Sequence, residues 1–243
     1  GSAEIGIVAA FGQRIGPQLL NRLPRGFVNI HGSLLPKYRG AAPIQRAILN
    51  GEENTGVTIF QLNERWDAGA IWASRATPLQ ETETADELHD RLAELGADLM
   101  VATLARLADG SLRPRAQDAA QATRAPKLTK ADGYVDWSQP AARVVRRIHG
   151  LWSWPAAACV FASRTGKQER VLLARAVVAD ADGAPTEDRP PGSLCDDLTV
   201  QTGRGRVRLL ELRPAGGKLM SFEAFANGHR VAVMDRFLAA APG

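Results

Sequence analysis

Residues 26–43 read GFVNIHGSLLPKYRGAAP. The apolar run FVNIH looks like a strand, bounded by a glycine ahead and a Gly- and Pro-punctuated loop behind. It ends in an amide, Asn29, and an imidazole, His31, two residues apart. Alternate residues of an extended chain face the same way, so these two side chains address one site. Upstream, IGIVAAF (5–11) is a second strand candidate closed by Gly12, and GPQLLNRL (16–23) is a short helix with Pro17 in its first turn. Downstream, APIQRAILNGE (42–52) is another helix, with Gly51 near its C-terminal cap. Strand and helix alternate, which predicts an α/β domain with a parallel sheet. In such sheets ligands gather outside the carboxyl ends of the strands, where Asn29 and His31 fall.

Two further strand candidates, 56–63 and 70–79, flank the turn ERWDAGA. A helix is well marked from Thr84, where TADE forms a capping box with Glu87. Leu88, Leu92, Leu95, Leu99 and Leu107 keep one of its faces apolar, and Gly110 stops it. The texture then changes. Residues 111–130 are polar, Ala-rich and punctuated by Pro114 and Pro126, which predicts a linker. An amphipathic helix at 141–151 is followed by the short strand candidates AACVFA, RVLLARAVVA, LTVQTG and VRLLELRPA, the pattern of a small β-barrel or sandwich. The expected division is 1–110, a linker at 111–130, and 131–243. Gly1 and Ser2 are given no structural weight. The first strand is apolar on both faces and needs neighbours on either side, so the sheet is expected to have strands ahead of it.

The composition, 45% hydrophobic and 23% charged, is that of a globular protein. No run of 18 apolar residues predicts a membrane span, and no leader pattern predicts a signal peptide. Cys159 and Cys195 read as two free thiols rather than a disulfide or half a metal site. Four histidines with no HxxxH or CxxC spacing argue against a metal centre. Residues 1–125 carry 13 Lys and Arg against 14 Asp and Glu, whereas residues 126–243 carry 17 against 12. That basic half is either scattered solvated arginine or a module facing a polyanion. Arg204, Arg206 and Arg208 alternate along GRGRVRL, so a strand there shows all three on one face, with Val207 and Leu209 on the other. An ordinary solvent-facing strand has the same pattern.

An Asn side chain offers a donor to a developing oxyanion, and His shuttles protons near neutral pH. Asp67, in its turn between strands, is a carboxylate suited to orienting His31. Asn, His and Asp without a Ser or Cys nucleophile suit direct attack of an external amine on an activated carbonyl. That is acyl transfer through a tetrahedral intermediate, with no covalent enzyme adduct. The bland alternatives are strand-end turn chemistry around a satisfied imidazole, a turn Asp67, and a solvated Arg39 beside Gly40. Spacing alone leaves both open.

NIHGSLLPKYRGAAPIQRAI (29–48) resembles the signature of the folate-dependent formyltransferases, and TGVTIFQLNERWDAGAI (55–71) resembles their second motif. KLTKADGYVDW (127–137), IHGLWSWPAA (148–157) and LRPAGGKLMSFEAFANG (212–228) are similar to the linker and C-terminal domain of the branch that formylates methionyl-tRNA. The likeness runs from about residue 3 to about residue 230. It implies a partial Rossmann-like domain followed by an OB-like barrel that binds tRNA. Asn29 would hold the oxyanion of the formyl carbonyl, His31 would assist proton transfer, and Asp67 would align His31 and help strip a proton from the amine. Ser33, Leu34, Leu35 and Pro36 would lie along the tetrahydrofolate, with Phe11 of the AAF segment bordering it. The implied co-substrate is 10-formyltetrahydrofolate, with no metal. The implied partner is initiator methionyl-tRNA, held through Arg204, Arg206, Arg208 and Lys218 by a cytoplasmic monomer that engages no membrane. The family pattern also carries an N-terminal segment with the first strands and a loop that engages the tRNA acceptor stem, which this sequence is expected to lack. Three competing readings are a sugar-nucleotide N-formyltransferase, a tRNA-binding remnant without chemistry, and a formyl-folate hydrolase.

Overall fold

The structure is a computed structural model that describes residues 3–186 and 188–240. Gly1 and Ser2 lie outside the described residues. The chain forms two compact units. One holds the residues up to 128 apart from 48–50 and 81–86, and the other holds those two segments and residues from 129 onward.

The first unit runs β1 (Gly6–Ala9), α1 (Pro17–Leu20), β2 (Phe27–His31), β3 (Arg39–Gly40), α2 (Pro43–Asn50), β4 (Asn54–Gln61), β5 (Ile71–Pro78), α3 (Ala85–Ala108) and β6 (Arg124–Ala125). Its main sheet has the order β1-β2-β4-β5. Parallel pairing joins β1 to β2, with Val8 opposite Asn29. The other two pairings, β2 with β4 and β4 with β5, are antiparallel, so the sheet is mixed. A reading of strand–helix alternation does not capture this, because β4 and β5 are joined by the 62–70 turn with no helix between them. β5 is an edge strand of this sheet, and it buries Ile71 while leaving the consecutive residues Ser74, Arg75 and Ala76 exposed.

Leu88, Leu92 and Leu99 of α3 are buried as their spacing predicts. The helix lies so close to β2 that a Cβ on Gly96 would stand 2.8 Å from Ile30 Cγ2. With Ile30 turned to α3, alternation turns Asn29 and His31 to the opposite side of the strand. There the fully buried Phe60 of β4 meets the His31 ring edge-on, with centroids 6.2 Å apart. Deleting a phenyl group from such a site costs about 3–5 kcal/mol.

Most of the stretch expected as a linker is tied to this first unit. Arg115 and Ile71 exchange both backbone hydrogen bonds at 2.8 Å, Arg39 N–H donates to the Thr123 carbonyl at 2.9 Å, and β6 pairs with β3. These bonds come from the backbone and from polar side chains, which a reading by hydrophobicity does not register.

The second unit runs α4 (Ala141–Leu151), β7 (Ala157–Ala162), β8 (Gln168–Asp180), β9 (Val200–Gln201), β10 (Arg206–Pro214), β11 (Met220–Ser221), α5 (Phe222–His229) and β12 (Arg236–Ala239). Its antiparallel sheet has the order β11-β10-β8-β7-β12, with β9 also on β10. The segment at 192–194 nearly closes it into a barrel. Phe237 N–H donates to the Gly192 carbonyl, Gly192 N–H donates to the Gln201 carbonyl, and Leu194 bridges Val200. Val171, Leu173, Val207, Leu212, Phe161 and Phe237 fill the interior beside Val144 and Ile148 of α4. Helix α5 was not anticipated from the sequence; its signal is Ser221, whose hydroxyl accepts from Ala224 N–H as a cap. Both cysteines are free and buried, and burial pushes the Cys159 thiol far up.

Candidate active site

At the carboxyl end of β2 the structure brings Asn29, His31 and Asp67 together on one cavity of about 660 Å³. That volume lies within the range of small-molecule sites, roughly 300–1,000 Å³. His31 and Asp67 are buried, 5% and 7% exposed. His31 Nδ1 stands 3.8 Å from Asp67 Oδ2. On the other side of the ring, Nε2 lies 2.9 Å from the Tyr38 carbonyl oxygen. A carbonyl only accepts, so Nε2 carries the hydrogen and the Nδ1 lone pair faces Asp67. Burial lowers the His31 pKa from its ordinary 6.5, and the Asp67 charge and the Tyr38 carbonyl offset part of that. The ring is therefore neutral near pH 7, with a vacant basic nitrogen beside a carboxylate.

Asn29 is half-buried and lines the same cavity. Among the described residues no hydrogen bond engages its carboxamide, which leaves two N–H donors for a ligand.

Asp67 sits at φ 47 in the 62–70 turn, and its Oδ2 accepts from the Gly40 N–H at 2.8 Å. The turn can take this shape because residue 69 is glycine: a Cβ there would stand 1.6 Å from the Gln61 carbonyl oxygen. Arg39, Tyr38, Gln117 and Glu52 hold the surrounding loops, and the sequence reading gave none of them a role at the site. The Tyr38 hydroxyl donates to Glu52 Oε1 at 2.6 Å, and that bond, more than the neighbouring Lys37, lowers the Glu52 pKa. Arg39 is no solvated loop residue, since its Nε and Nη2 both donate to Gln117 Oε1.

Of the residues expected along the folate, Phe11 lines the cavity, with Ala9 and Ala10. Ser33, Leu34, Leu35 and Pro36 are not part of the lining. Thr58 explains why: its hydroxyl donates to the Ser33 carbonyl and accepts from the Leu35 N–H, folding this stretch onto β4. The Ser33 hydroxyl is spent on the Lys37 carbonyl, and Leu35 packs with Phe60 and Ile71.

On β10, Val207 and Leu209 point into the barrel as alternation predicts. Arg206 and Arg208 lie on the other side. Arg204 does not share that face, contrary to the expectation, because Gly205 at φ 82 separates it from the strand, and none of the three is free. Arg204 pairs with Asp182 at 2.6 Å, Arg206 with Asp180 and Asp197 at 3.4 and 3.6 Å, and Arg208 with Asp197 at 3.3 Å. Asp180 stands directly across the ladder from Arg206, while Asp182 and Asp197 lie in the bend and turn segments that precede β10. Lys218, in the exposed loop between β10 and β11, has no carboxylate partner among the described residues.

Residues 1–104 match the formyl transferase family model, and residues 127–230 match the model of the formyl transferase C-terminal domain. The methionyl-tRNA formyltransferase of Heliobacterium modesticaldum is 43% identical over 244 residues, spanning 96% of this chain and 75% of that protein. That of Nitratidesulfovibrio vulgaris is 42% identical, spanning 93% and 69%. The chain belongs to the methionyl-tRNA formyltransferases. Among solved structures, HypX from Aquifex aeolicus in complex with tetrahydrofolic acid superposes with a TM-score of 0.67 at 21% identity, spanning 95% of this chain and 39% of that one. The sugar 3N-formyltransferase WlaRD superposes with a TM-score of 0.66 at 16% identity, spanning 84% and 70%. Both likenesses concern the formyltransferase fold. Among the described residues no helix is long and apolar enough to cross a membrane, and no cluster of three His, Cys, Asp or Glu side chains could hold a metal ion.

Proposed function

We propose that this methionyl-tRNA formyltransferase moves a formyl group from 10-formyltetrahydrofolate to the amino group of initiator methionyl-tRNA through Asn29, His31 and Asp67. The observation that carries the assignment is the convergence on one cavity of an unpartnered amide, a neutral imidazole with a free nitrogen, and a buried carboxylate. The cavity suits the folate in volume and in its lining by Ala9, Ala10 and Phe11. When bound, 10-formyltetrahydrofolate supplies the electrophilic formyl carbon.

The chain's own residues supply the rest. The Asn29 carboxamide donates to the carbonyl oxygen as that oxygen gains negative charge under attack. A preorganised donor of this kind is worth about 100- to 1,000-fold in rate. His31 Nδ1 takes the proton released by the attacking amine, and the Tyr38 carbonyl keeps the ring in the tautomer that leaves Nδ1 free. Asp67, 3.8 Å away, stabilises the imidazolium that results, and that proton would pass to the folate nitrogen as its bond to the formyl carbon breaks.

Residues 1–110 would carry this chemistry and residues 131–243 the tRNA, on an OB-like barrel. The excess of basic over acidic residues from 126 onward supports that assignment. The enzyme would act as a cytoplasmic monomer in translation initiation. The family match across 127–230 favours methionyl-tRNA over a sugar nucleotide as acceptor. The test is to offer both acceptors with 10-formyltetrahydrofolate. Formylation of methionyl-tRNA alone is expected; turnover of an amino-sugar nucleotide with methionyl-tRNA left untouched would replace this reading.

A further inference from the structure

One side chain that lines no part of the cavity holds the two segments on which the site depends. Gln117 Nε2 donates to the Asp67 carbonyl and to the Gly69 carbonyl, both at 2.8 Å. Its Oε1 accepts from Arg39 Nε at 3.0 Å and from Arg39 Nη2 at 2.7 Å. Two N–H donors and two lone pairs are the full capacity of a carboxamide, and all four are used. On one side the amide brackets the turn that keeps Asp67 in a left-handed conformation. On the other it grips the arginine lying between Tyr38, whose carbonyl fixes the His31 tautomer, and Gly40, whose N–H holds Asp67 Oδ2.

We propose that Gln117 is a positioning residue for formyl transfer, clamping the Asp67 turn to the 38–40 loop so that His31 and Asp67 keep their mutual geometry. The proposal rests on the reading of His31 and Asp67 as the reacting pair. A network of this form transmits small errors directly. If the turn relaxes, the Asp67 carboxylate and the carbonyl that sets the tautomer shift relative to each other. A displacement of about 1 Å at a reacting group costs on the order of 100-fold in rate. The cavity wall itself contains neither Gln117 nor Arg39, so affinity for the formyl donor stays intact.

The test is steady-state kinetics on the full chain for Gln117→Ala, Gln117→Glu, Asp67→Ala and the double variant Gln117→Ala/Asp67→Ala. Gln117→Glu keeps an acceptor for Arg39 but sets oxygen against the Asp67 and Gly69 carbonyls, and it carries the test if Gln117→Ala does not fold. Both Gln117 variants are expected to lose about 10- to 100-fold in kcat, with KM for 10-formyltetrahydrofolate within about two-fold of the parent. In the Asp67→Ala background, removing Gln117 is expected to cost nothing further. Parent-like kcat in Gln117→Glu, a loss carried by KM, or a loss that multiplies with that of Asp67→Ala would overturn the clamp while leaving the reacting pair in place. Parent-like turnover in Asp67→Ala itself would instead remove the reading on which the clamp rests.

Discussion

Two places in this molecule share a sequence pattern, polar side chains at alternate positions of a strand, and they end differently. At the end of β2, Asn29 and His31 face a cavity with their key atoms unspent: the Asn29 amide has no partner among the described residues, and His31 Nδ1 meets only a carboxylate 3.8 Å away. At the start of β10, Arg206 and Arg208 have the same spacing, with Arg204 just ahead of the strand beyond Gly205, yet each of the three already faces an aspartate. Alternation decides which way side chains point. Whether they remain available to a ligand depends on what the rest of the fold places opposite them. Asp180, Asp182 and Asp197 neutralise the β10 arginines, so a phosphate there must first displace a carboxylate. On β2, the Tyr38 carbonyl holds His31 at Nε2 and leaves Nδ1 open, while the Asn29 carboxamide stays open altogether among the described residues.

The comparison breaks most visibly at Asn29. Asn29→Ala removes a free donor and little packing, so kcat should fall about 100- to 1,000-fold with the melting temperature nearly unchanged. A comparable loss of folding stability would mean that the amide serves the fold and is not held in reserve.

A smaller effect tests the burial of His31. Its folded pKa lies below the ordinary 6.5, so the unfolded chain binds more protons between those two values. Stability from this group is therefore fully present above about pH 6.5 and is lost as pH falls through the folded value. Melting temperatures measured from pH 8 down to pH 5 should drop more steeply for the parent than for His31→Gln. Parallel curves would show that the imidazole is not desolvated as described.

The smallest effect is expected on β10. A cation that gains a phosphate contact steepens the fall of log affinity with log salt by about 0.9, on the scale of B-form DNA. Because the three arginines are compensated, replacing all three with Gln should flatten the salt dependence of tRNA binding by less than one such contact. Asp197→Asn, which releases Arg208 and leaves Arg206 paired with Asp180, should tighten binding. A flattening near three contacts would place these arginines on the RNA despite their aspartates.

The longer strands, the long helix and the cavity-facing pair were legible because they rest on local periodicity: FVNIH is β2, and the leucine stripe from Leu88 is α3, whereas β3, β6, β11 and β12 are too short to show it. The family motifs also pointed to Asp67. What was not legible depends on pairings between distant segments. The SLLP stretch was expected along the folate, whereas Thr58, across on β4, folds it against the sheet. Residues 111–130 look like a linker until Arg115, Gln117 and Thr123 are seen bonded to the first unit. The compensation of Arg204, Arg206 and Arg208 was likewise hidden, because it depends on how the strand pairing and the preceding turns bring Asp180, Asp182 and Asp197 against them. Composition assigns such polar residues to solvent, and only the fold shows the carbonyls and charges they meet.

The central claim is that His31 and Asp67 act as one unit on the attacking amine, and a double-mutant cycle in formyl transfer to methionyl-tRNA tests it most directly. His31→Ala and Asp67→Ala should each lower kcat at least about 100-fold. The double variant should be no more than about three-fold slower than the slower single variant, because a pair that works as a unit is lost once. Losses that multiply, or near-normal turnover in either single variant, would contradict the account.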